Sequence, residues 1–122
     1  MKKNLKQLDG MVISTEDGEH RSANFGTKNC AYVKFRKGTD IGPALEGLEN
    51  DLCQVPHWGY VINGSLTVSY DDGSDEEVKT GDIFYWPPGH TVVYNEDSEI
   101  VEFSPKDEMA KLLGHIKGKM TS

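Results

Sequence analysis

The chain has 122 residues, 36% of them hydrophobic and 27% charged, with a net charge of −7. That is enough for one domain with a core that needs no disulfide staple. It has no apolar run of membrane-spanning length, and an acidic balance repels phosphate backbones, so neither a membrane nor nucleic acid is an expected partner.

The N-terminus, Met1-Lys2-Lys3, is basic, but no apolar stretch follows it as in a secretion signal. The expected compartment is the cytoplasm, where Cys30 and Cys53 are not expected to pair. Residues 1–29 are polar and weakly periodic, with one short strand at Met11–Ser14 and a loop after it. From Cys30 to Arg36 the residues alternate, as in a half-buried strand. A long connection with three glycines and a proline covers 36–51. Strand signals then become dense: 55–62, 65–70, 77–79, 83–86, 91–94 and 99–103, separated by Asn63-Gly64, Asp72-Gly73, Thr80-Gly81-Asp82 and Pro87-Pro88-Gly89. Short strands at such spacing, joined by turn chemistry, predict an all-β sandwich or barrel. Ser104-Pro105 has the pattern of a helix start. Met109, Leu112, Leu113 and Ile116 then form one apolar stripe, predicting a helix over about 106–117 that Gly118 ends. The chain divides no further: one domain, 1–122, with the barrel over about 30–104.

Residues 51–96 resemble the cupin superfamily. Gly64 takes the place of the last glycine of the first cupin motif, "YVING" is similar to its usual "YVLEG", and Gly81, Pro87 and Gly89 fit the second motif at the right spacing. Phrases such as "PHWGYV" and "PPGHT" also look like a group of small single-domain bacterial cupins. The resemblance implies a cupin-type jelly-roll β-barrel with a short C-terminal helix, a small-molecule ligand and a homodimer. The metal-ligand positions depart from the motif. The glutamate position falls on His57, the two histidine positions on Cys53 and Asp51, and the last histidine position on Val92, two residues after His90.

On a flat strand Cys53 and His57 share a face but stand about 13 Å apart, too far to share one ion. Pro56 removes a ladder donor and Gly59 permits close backbone approach, so a bend there would let thiolate and imidazole meet. His90 follows the stiff Pro-Pro-Gly turn and is the candidate third ligand at the rim if it faces inward with Val92. One cysteine and two histidines suit a borderline-soft divalent ion, zinc first, with iron, nickel or copper as alternatives. Asp51 is a candidate fourth ligand or outer partner, although a solvated loop residue is the simpler reading. Trp58, Tyr60 and Trp86 are candidates for the pocket wall. His20 and His115 are isolated and expected at the surface. Against all this stands the plain alternative of a core histidine and a buried thiol filling space. Three functions stay open: a metal-dependent small-molecule enzyme, a metal-free ligand-binding or sensor cupin, and a non-catalytic assembly domain. No motif names a reaction.

Overall fold

The computed structural model describes residues 1–121. Nine strands form two sheets: β1 (Met11–Thr15), β2 (Gly18–Phe25), β3 (Lys28–Phe35), β4 (His57–Asn63), β5 (Ser65–Tyr70), β6 (Asp75–Lys79), β7 (Ile83–Trp86), β8 (His90–Tyr94) and β9 (Ser98–Pro105). The larger sheet has the order β1-β2-β3-β9-β4-β7 and the smaller β6-β5-β8. One helix, α1 (Lys106–Thr121), follows β9 directly. The arrangement is a jelly roll whose two sheets face each other across an apolar core.

That core comes from period-two alternation. Ala31, Val33 and Phe35 of β3, Val61 of β4, Phe84 and Trp86 of β7 and Ile100 of β9 meet Leu66, Val68, Val78, Val92 and Tyr94 of the smaller sheet. Two glycines allow the close approaches. A Cβ on Gly59 would lie 2.2 Å from the Val101 carbonyl oxygen and 2.4 Å from the Phe84 ring. Gly64, at φ 112°, turns β4 into β5, where a Cβ would come within 2.0 Å of Ser98 Oγ.

The N-terminal third differs from expectation. The stretch expected as loop is β2, a full strand between β1 and β3. Its inward residues include His20 and Ser22, and Ser22 is fully buried. Polar residues on the inner face erase the apolar alternation that announces a strand.

The end of the chain differs too. Ser104 and Pro105 continue β9 rather than opening the helix, and α1 runs through Gly118 to Thr121. Met109, Leu112 and Leu113 lie buried against Ile13, Leu45, Cys53 and Val55, with Ile116 at the margin. The apolar stripe thus covers one open end of the jelly roll. No helix among the described residues is long and apolar enough to cross a membrane.

Candidate metal centre

The long connection before β4 runs beside β8. Gly38 N donates to the Tyr94 carbonyl, Ile41 N to that of Val92, and Cys53 N to that of His90 at 2.8 Å. The Cys53 carbonyl in turn accepts from Gly89 N at 2.7 Å. Cys53 therefore extends the smaller sheet and lies outside β4, which begins only at His57. Residues 54–56, ending in Pro56, carry the chain across from one sheet to the other. This crossing replaces the flat-strand separation with a Cys53 Sγ to His57 Nε2 distance of 3.5 Å.

His90 opens β8 from the Pro87-Pro88-Gly89 turn, and its ring centroid lies 5.1 Å from that of His57. One donor atom from each of Cys53, His57 and His90 lies within 4.8 Å of the others, and all three residues are buried. Tetrahedral zinc with Zn–S and Zn–N bonds of ordinary length separates sulfur and nitrogen by about 3.6 Å. The sulfur–nitrogen pair is already at that separation.

The neighbours of the two imidazoles fix which nitrogen faces inward. His90 Nδ1 lies 2.8 Å from the Pro87 carbonyl oxygen, which can only accept, so Nδ1 carries the proton and the Nε2 lone pair is free. His57 Nδ1 lies 2.6 Å from Ser104 Oγ, leaving Nε2 toward Cys53. Burial lowers the basicity of both rings. For His90, burial and then His57 bring the pKa down to about 4. For His57, burial lowers it against the opposing pull of Glu102. Both are neutral at pH 7, the state a metal requires. Burial pushes the Cys53 thiol up to about 12, with Glu102 adding to the rise and the Val55 carbonyl contact acting against it. A divalent cation is what would replace that proton.

Behind the triad stands a residue the sequence reading passed over. Glu102, on β9, is 6% exposed, with Oε1 3.5 Å from His20 Nε2 and Oε2 4.0 Å from His57 Nδ1. Burial raises its carboxyl, but the imidazoles of His57, His20 and His90 more than offset that and hold it at about 2. His20 is likewise inside, its side chain 14% exposed, and not at the surface as expected. The signal for Glu102 was present: it alternates in phase with Ile100 and Ser104, the inward side of β9.

Three expected site residues lie elsewhere. Trp58 and Tyr60 are 43% and 42% exposed, because His57, Gly59 and Val61 take the inward positions of β4 and their neighbours must point out. Asp51 sits at φ 57° in an exposed 3-10 turn, its carboxylate accepting from Gly47 N at 2.9 Å. Trp86 stands beside the triad. It is 2% exposed and stands edge-on to His57. His115 ties α1 to the Glu46 carbonyl at the surface.

The triad opens into a cavity of about 290 Å³ between the jelly roll and α1, whose lining includes His20, Trp86, Glu102, Met109 and Leu112.

No protein-family model matches the chain, and no curated protein matches it in sequence. Solved structures do match in fold. A Neisseria meningitidis protein is 18% identical over 86% of this chain and 99% of its own, with a TM-score of 0.61. An RmlC-like cupin from Shewanella frigidimarina is 16% identical over 84% and 87%, at 0.59. Ectoine synthase from P. lautus is 13% identical over 86% and 77%, at 0.63. The chain therefore has the cupin fold. At these identities the likeness extends to architecture alone.

Proposed function

We propose that this protein is a small-molecule-binding cupin that holds a divalent metal ion, zinc first and iron, nickel or copper as alternatives, on Cys53, His57 and His90. One observation carries the reading. Two stretches of chain, 53–57 and the start of β8, bring three ligand-type atoms within 4.8 Å of one another at one buried point, and the Pro87 carbonyl fixes the His90 tautomer that presents its Nε2 lone pair there. Three protein ligands leave a position for a substrate. A bound ion would supply Lewis-acid polarisation of a coordinating group. The chain's own part is to orient the ligands. Ser104 and Pro87 hold the two rings, Glu102 lends negative charge behind His57, and α1 screens the cavity from water.

The test is elemental analysis of protein purified without chelator, followed by titration with each of the four ions. About one equivalent of metal per chain is expected. No uptake of any of them would leave the second reading, a metal-free ligand-binding cupin. That reading draws on the placement of Cys53 in the apolar cluster under α1. The cavity speaks against a purely assembling domain. Two free cysteines suit a reducing compartment such as the cytoplasm.

For assembly, the outer face of β4, β7 and β9 supports a homodimer. Trp58, Tyr60, Ile83, Tyr85 and Phe103 are 43%, 42%, 85%, 50% and 44% exposed. Register places them side by side, and Trp58 stacks on Tyr85 at 5.2 Å. A contiguous apolar patch on a strand at the sheet edge is where a second copy would pack. Light scattering should give a dimer for wild type and a monomer for Ile83→Asp with unchanged metal content. A monomeric wild type would rule the dimer out.

A further inference from the structure

The cavity has a polar end that the metal triad does not use. Glu102 stands mid-sheet, paired in register with Ala31 of β3 and Gly59 of β4. Its nearest polar partners, at 3.5 Å and 4.0 Å, are too long for good hydrogen bonds. His57 Nδ1 is already engaged by Ser104. Neither ring nitrogen of His20 makes a hydrogen bond within the described residues, nor does Trp86 Nε1, and all three atoms are buried. Buried polar groups are ordinarily satisfied, and a buried carboxylate is costly without a donor or a cation beside it. Here several unmatched groups border one cavity, whose wall under α1 is apolar, with Ile13, Ile100, Met109, Leu112 and Leu113, while Asp17, Asp40 and three threonines also line it.

The charge of the wall decides what fits. Its Asp and Glu residues are Asp17, Asp40 and Glu102, and no Lys or Arg lines it among the described residues. Asp17 is paired with Arg36, and Asp40 caps its own turn at Gly42 N, which leaves Glu102 as the carboxylate whose neighbours are imidazoles, His20 at 3.5 Å and His57 at 4.0 Å, with no Lys or Arg beside it among the described residues. The volume lies at the small end of ligand pockets, which begin at roughly 300 Å³.

We infer that the cavity binds a small organic amine, its ammonium held by Glu102 with His20 beside it and its short apolar body lying under α1. This does not rest on the metal reading, because neither residue belongs to the triad. The ammonium meets the buried carboxylate, and the alkyl chain covers Met109 and Leu112.

The experiment is a calorimetric titration with n-pentylamine, 1-pentanol and pentanoate, matched in length and differing in head group. It is run on chelator-treated protein, where no metal can take the amine, and on zinc-loaded protein. In the chelated protein the amine should bind roughly tenfold tighter than either other probe, a 1.4 kcal/mol preference. Glu102→Gln should erase that preference while leaving pentanol binding unchanged. Leu112→Trp, which fills the apolar end without touching Glu102, should abolish amine binding and covers the case in which Glu102→Gln does not fold. Equal binding of amine and alcohol, best binding of pentanoate, or unimpaired amine binding by either variant would overturn the inference. Failure of zinc to bind would leave it standing.

Discussion

Alanine at Cys53 or at His57 removes the metal from a protein that still folds. Wild-type protein in zinc at a hundredfold excess over its Kd gains about 2.7 kcal/mol of stability, because the native state alone has the assembled site. Neither variant should show that gain, and zinc affinity should fall by roughly a hundredfold or more, since two protein ligands hold an ion much less well than three. Their metal-free stabilities separate loss of a ligand from damage to the fold. Cys53→Ala removes one sulfur from the cluster under α1 and should cost about 1 kcal/mol. His57→Ala also leaves the Ser104 hydroxyl buried without its 2.6 Å partner and should cost about 1–3 kcal/mol more. Asp51→Ala is the control and should change neither quantity, because that carboxylate only closes an exposed turn. Denaturant melts with and without zinc, beside metal content, read all of this. Wild-type metal content in Cys53→Ala would end the ligand assignment.

The cupin fold was legible because its signals are local. Asn63-Gly64 and the Pro-Pro-Gly turn need only neighbouring residues to be recognised, and the alternation in β3 and β5 needs only a half-buried sheet. The proposed triad was partly legible. Pro56 gives away a break in the strand, but that Cys53 pairs with β8 depends on a long-range bridge that no window of sequence displays. Trp58 and Tyr60 were open to a better reading. Strand parity that turns His57 inward must turn them outward, toward the sheet face now proposed for the dimer.

The deepest loss was β2. A strand whose inner side carries His20 and Ser22 looks like loop by hydropathy: His20 lines the cavity, and Ser22 accepts from the Asn29 amide in the interior. The same holds for Glu102, which is hidden in sequence as one of 20 acidic residues and distinguished only by its phase in β9. Polar residues that serve a site weaken the very pattern by which their elements are recognised.

The metal-free protein should lose stability in acid well before ordinary carboxylates titrate. In the unfolded chain an imidazole takes its proton near the usual pKa of about 6.5. In the folded chain His90 resists until about pH 4, because the site is buried and His57 stands beside it. Between those values the unfolded state binds more protons, so stability rises with pH there and falls as pH drops from 6.5 toward 4. His90 alone accounts for about 3 kcal/mol across that window. His57, lowered chiefly by burial, acts in the same direction. Glu102 extends the loss further down. Its folded carboxyl is held at about 2 by imidazoles that are themselves protonated at such low pH, and that pairing is lost as pH falls through the folded value. Denaturant melts of chelator-treated protein at pH 7.5, 6 and 5 should therefore show midpoints falling steeply, and His90→Gln should flatten the fall. Zinc should shift the onset to lower pH, since a proton must displace the ion before it can occupy either ring. A chelated protein equally stable at pH 7.5 and pH 5 would mean that the two imidazoles are not held neutral by burial, and with that the preorganised ligand set fails.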